Sequence, residues 1–259
     1  MIRPPDCFTE YQLPFVMSLG PAPVLASGHD VVVDCSPTAA SARSELAEVF
    51  AYFGRLGRTG AFGSPVVPPR DATLGDVVVT SNGPAVIRAC RVDERAIVIL
   101  ANLLFARQAL LRLNSVRVAA PSAPHASADF RSLERRTDEY ASYPERSERL
   151  PFAIEDDDPS GDSRTFTAEF VRPLQQSEEA ALIDALEAWA VVVRAGGYAV
   201  APEPPELCYL EPNPPACWQT GFEYSFLKLR ADGRSTDGIV NLFEAFHHRI
   251  CPLARLTVA

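Results

Sequence analysis

Runs of alternating or continuous apolar residues alternate along this chain with stretches that place apolar side chains every three to four positions, and both kinds recur in the same order in its two halves. In the first half, Asp30–Cys35 (DVVVDC) is a β-branched run bounded by Gly28 and Ser36-Pro37, which predicts a buried strand. Ser41 or Ser44 can cap the helix that follows, whose apolar positions Leu46, Val49, Phe50, Phe53 and Leu56 fall on one face. Asp76–Ser81 and Ala85–Val92 then read as two strands around Asn82-Gly83-Pro84, a hairpin signal. Asp93 or Glu94 opens a second helix, Arg95–Leu111, and Val116–Ala120 closes as a strand.

The second half repeats this order. Phe166–Val171 reads as a strand, and Ser177 caps the helical run Glu178–Ala199. Leu207–Leu210 reads as a strand, the proline-rich turn Glu211–Gln219 follows, and Phe222–Arg230 is a strand with Phe222, Tyr224 and Phe226 alternating. Ser235 or Thr236 caps the helix Gly238–Ile250, and Leu253–Ala259 is the last strand. The two opening helices echo each other at a constant offset: Ser41/Ser177, Leu46/Leu182, Phe50/Leu186, Phe53/Trp189, Arg58/Arg194, Gly60/Gly196 and Phe62/Tyr198. The expected fold is therefore α+β: two tandem ferredoxin-like (βαββαβ) units related by internal duplication, with antiparallel sheets and helices on one face. Residues 1–28, with five prolines, read as an N-terminal arm, 29–120 as the first α/β unit, 121–165 as an acidic linker with a solvated helical turn near Ala128–Tyr140, and 166–259 as the second unit.

Charge narrows the function. The formal net charge is −9. It sits after residue 120: residues 1–120 carry 11 basic and 10 acidic side chains, 121–165 carry 6 and 11, and 166–259 carry 7 and 12. A nucleic-acid binder needs a basic stripe to neutralise phosphates, so that class is not expected. A protein partner, if charged, is expected to be basic. No run of 18 apolar residues predicts a membrane span, and prolines interrupt the apolar run Leu13–Ser27 that could otherwise serve as a signal sequence, so a cytoplasmic protein is expected.

Chemistry has few footholds. Of 24 basic residues one, Lys228, is a lysine, and it lies in a predicted strand with no glycine loop before it. The glycines Gly54, Gly57, Gly60 and Gly63, with Arg55 and Arg58 among them, follow a helix, where the dipole is negative, so they read as a helix stop and not an anion cradle. The acidic run Glu155–Asp162 lacks the spacing of a calcium loop. His247 and His248 are neighbours and point about 100° apart, leaving Glu244 and His248 as a two-ligand fragment. The six cysteines, scattered with no C-x-x-C pair, read as small apolar residues, with Cys208 and Cys217 flanking a turn across which they could pair in an oxidising compartment. No catalytic motif is present and no cofactor or metal is implied.

What remains is a binding surface. Asn213, Trp218 and Glu211 of the proline-rich turn, with Tyr198 nearby, are the candidate site residues, because prolines fix the loop and tryptophan is frequent at binding hot spots. A core role for Trp218 competes with this. The expected function is a non-enzymatic protein-binding module, of which an immunity-type inhibitor of a basic toxin or enzyme is one form. The alternative is a small-molecule enzyme or sensor with its site at the seam between the units.

Overall fold

A computed structural model describes residues 16–18, 28–37, 42–65, 67–79, 85–107, 111–119, 149–156, 163–199, 210–229 and 234–259. They form a mixed α+β fold with two sheets and four helices. The first half contributes β1 (Val16–Ser18), β2 (His29–Pro37), α1 (Ala42–Arg58), β3 (Val77–Val79), β4 (Ala85–Cys90), α2 (Glu94–Phe105) and β5 (Leu111–Ala119). The second contributes β6 (Ala153–Asp156), β7 (Arg164–Phe170), α3 (Gln176–Arg194), β8 (Glu211–Pro212), β9 (Ala216–Trp218), β10 (Gly221–Leu227), α4 (Arg234–Arg249) and β11 (Leu253–Val258).

The first sheet runs β1-β5-β2-β4-β3 and the second β6-β11-β7-β10-β8, with β9 also paired to β10. All neighbours are antiparallel except β1 on β5 and β6 on β11. Along β2, β4, β7 and β10 the period of two puts one face on the core. Val31, Val33, Ala85 and Ile87 are buried in the first sheet, and Phe166, Ala168, Phe170, Phe222, Tyr224 and Phe226 in the second. The buried positions of both sheets and all four helices join one core, and α1 packs on α3. The six residues that the repeated helices align, Leu46, Phe50 and Phe53 with Leu182, Leu186 and Trp189, are all buried.

Several boundaries depart from the pattern. β1 falls inside the stretch read as an arm, and β6 inside the stretch read as a linker; each is an added parallel strand on the last strand of its half. Three or four residues offer too short a pattern to register as strands, and parallel partners distant in sequence leave no turn signal. The second helix is shorter than Arg95–Leu111: Asp93 caps it by accepting from the Arg95 N–H at 2.9 Å, it stops at Phe105, and Leu111 already belongs to β5. The third helix starts before Ser177. Gln175 is its cap, the Glu178 carboxylate accepting the Gln175 N–H at 2.8 Å while Arg172 holds that carboxylate through two bonds of 2.7 and 2.8 Å. Arg172 beside Glu178 lowers the carboxyl to about 2, so the cap is charged across the neutral range. Glu211–Gln219 is no plain turn, because Glu211–Pro212 and Ala216–Trp218 both pair with β10. Of the predicted strand Leu207–Leu210, Leu210 alone is described; it is buried and precedes β8. Asn82-Gly83-Pro84, Ala128–Tyr140 and 157–162 of the acidic run lie outside the described residues.

The helix stops behave as the glycine pattern predicts. Gly60 and Gly196 both take positive φ, +90° and +88°, and Gly63 and Ala199 donate back to their carbonyls at 3.0 and 3.2 Å. Gly60 is constrained twice, since a Cβ there would sit 2.4 Å from Ala245 Cβ of α4.

Candidate functional site

The seam between the halves is built from the turns after α1 and α3. Asn102 of α2, buried, donates to the Gly197 and Ala199 carbonyls at 3.1 and 3.3 Å. Asn241 of α4, buried too, donates to the Ala61 and Gly63 carbonyls at 3.3 and 2.8 Å. Each half thus lends a helix asparagine to the other half's turn, bonding carbonyls of the buried turn that follows each helix. Arg249, the last residue of α4, donates to the carbonyls of Arg58, Pro69, Arg70 and Ala72 at 2.8 to 3.1 Å. Tyr198 is buried here, its hydroxyl facing Gly238. It lines a void of about 20 Å³ with Asp93, Arg95, Asp237 and Asn241, room for about one water.

The groove among α1, α3 and α4 is larger, about 310 Å³, and among its charged groups Arg55, Asp184 and Arg249 have partners. Arg55 reaches Asp184 and, at 3.1 Å, Glu187, and Arg249 serves the backbone carbonyls.

Tyr198 therefore stands apart from the other three candidates, which the structure gathers on the outer face of the second sheet. Phe222, Tyr224 and Phe226 point inward, so Gly221, Glu223, Ser225 and Leu227 point outward, and their strand partners share that side. Trp218 is opposite Gly221 on β9, and Glu169 is opposite Gly221 on β7. The indole lies on Gly221: a Cβ there would come within 2.1 to 2.5 Å of Cε2, Nε1 and Cζ2 of the ring. Any larger residue at 221 would displace the tryptophan. With one face on the glycine, Trp218 remains 47% exposed, whereas Trp189, the only other tryptophan, is fully buried and donates its Nε1–H to the Ser235 carbonyl at 2.8 Å.

Asn213 donates from its side chain to Ser225 Oγ at 2.8 Å and from its backbone N–H to the Ser225 carbonyl at 2.9 Å, which continues the pairing of β8 past Pro212. Glu211 pairs with Lys228 at 2.8 Å, both exposed. Arg255 lies 3.4 Å from Glu155 and 4.0 Å from Glu169. Among the described residues, four carboxylates (Glu155, Glu169, Glu211, Glu223) thus face outward with two cations, Arg255 and Lys228. Sequence reasoning missed Glu169, Glu223 and Gly221; the alternation Gly221/Glu223/Ser225 opposite Phe222/Tyr224/Phe226 carried that information.

Other chemistry is absent among the described residues. No group of three or more His, Cys, Asp or Glu side chains could hold a metal, and no helix is long and apolar enough to cross a membrane. His247 Nδ1 accepts the Leu253 N–H at 2.9 Å, a structural task, while Glu244 and His248 line a surface groove with Arg70 and Arg149. Cys90 and Cys251 are buried, Cys35 is half-buried and Cys217 is exposed; all four are thiols, and Cys208 lies outside the described residues. Burial first and Glu179 second push the Cys217 thiol up to about 12, away from nucleophilic use. Compared with protein-family models, curated proteins and solved structures, the chain finds no significant match in any of the three.

Proposed function

We propose that this chain is a non-enzymatic protein-binding module that engages a basic partner through the outer face of its second sheet. The observation that carries the reading is Trp218, half-exposed and laid flat on Gly221 in a face dominated by carboxylates. A large rigid aromatic held in place before contact adds binding area at small entropic cost, and surrounding charge of one sign selects and speeds a partner of the other. An immunity-type inhibitor of a basic toxin or enzyme fits this description.

The architecture behind it is, in our reading, a duplicated ferredoxin-like unit. Both sheets place the last, first, third and second strands of their half in that order, both add a parallel strand beside the last, and the asparagine bonds are exchanged reciprocally. A photoreactive residue in place of Leu227, outward and 45% exposed, tests the binding surface in the producing cell. The expected result is a reproducible crosslink to a basic protein whose affinity for the purified chain falls as salt rises. An acidic partner, a salt-indifferent affinity, or no crosslinked protein overturns the reading.

A further inference from the structure

We infer that the outer face of the second sheet holds an arginine side chain of the partner protein, its guanidinium stacked on the Trp218 indole and its N–H groups bonded to Glu169 and Glu223. This rests on the protein-binding reading above and names the group recognised.

The geometry commits to that occupant. Gly221 is the floor under Cε2, Nε1 and Cζ2 of the indole, and Trp218 is 47% exposed, so ring surface stays open as a platform. Arginine's planar cation stacks on such a face and keeps its N–H groups free in the ring plane, whereas lysine offers a compact charge that cannot cover the ring and reach two acceptors together. The acceptors stand where those N–H groups would point. Glu169 is one strand away from Gly221, about 4.8 Å across the sheet, and Glu223 is two residues along β10, about 6.6 Å. A carboxylate takes a guanidinium through two parallel bonds, which fixes orientation as well as charge. Among the described residues, the nearest cations lie elsewhere: Arg255 sits beyond Glu169 on β11, closer to Glu155, and Lys228 pairs with Glu211 at the far end of the face. Cys217 and Glu179 lie on the other side of β9, since Cys217 is opposite the inward Phe222.

The test uses the full chain and three peptides, acetyl-Gly-Arg-Gly-amide and its lysine and norleucine counterparts. With two tryptophans in the sequence, the indole N–H region of the NMR spectrum carries two signals, and Trp218→Phe assigns them. The expected result is a saturable shift of the Trp218 signal with the arginine peptide, weaker affinity by about two- to fivefold for lysine, and none for norleucine. Glu169→Gln and Glu223→Gln each weaken arginine binding by about two- to fivefold, while Glu244→Gln, off this face, leaves it unchanged. Equal affinity for lysine or norleucine, indifference to both glutamine variants, or no shift at tens of millimolar overturns the proposal. If the Leu227 crosslink succeeds and the peptides fail, the arginine assignment falls and the binding surface stands; if both fail, so does the surface.

Discussion

Asn102 and Asn241 have the same task in opposite halves, so their loss should cost the same. Replacing either by leucine keeps the number and branching of the side-chain heavy atoms and removes two bonds to carbonyls in a buried seam, a penalty of about 1–3 kcal/mol. In urea unfolding, Asn102→Leu and Asn241→Leu are expected to lose stability within about a factor of two of each other. A large loss at one position with none at the other would show that the bonds are not equivalent. The two residues were not legible as a pair in the sequence, because their offset differs from that of the helices they serve. The buried positions of α1 and α3 were legible, since a helix face is written every three to four residues. Trp218 and Tyr198 show where composition stops informing: an aromatic in a turn reads the same whether it lies on a glycine in solvent or fills a seam, and only the pairing partner decides.

At the scale of elements, the joint between α4 and β11 carries a titrating group. Burial holds the His247 imidazole below its ordinary value near 6.5, outweighing the Leu253 N–H bond to Nδ1, and Phe152 and His248 pack against it. A depressed folded value means that the unfolded chain takes up protons first. The joint's contribution is therefore complete above about 6.5 and is lost as pH falls from there through the folded value. Stability measured from pH 7.5 down to 5 should decline, and His247→Asn, which keeps an acceptor and does not titrate, should flatten the decline. His248 is depressed in the same direction, by burial and then by His247, Arg70 and, opposing, Asp71, so some slope survives. An unchanged slope in the variant would remove His247 from the account. The strand edges divide along similar lines. β3 is three valines, whereas the corresponding edge of the second sheet is interrupted by Pro212, Pro214 and Pro215, which cannot extend a ladder. Those prolines were visible in the sequence as a turn; that strand pieces survive on either side follows from Asn213 bonding Ser225.

For the whole molecule, one continuous core spans both halves, and the seam bonds run in both directions across it. Neither half can open without uncovering the other's buried turn. Calorimetry is expected to give a single transition with van't Hoff and calorimetric enthalpies in agreement, and two resolved transitions would mean that the halves fold as separate units.

Lys228 follows β10 with φ +56° and reaches Glu211 on the outer face, and it is the single lysine in the sequence. Side-chain amine chemistry is thereby directed to one spot. Immobilisation through lysine would seat the molecule with Trp218 turned toward the support, and a label placed there would report on, or block, that face alone.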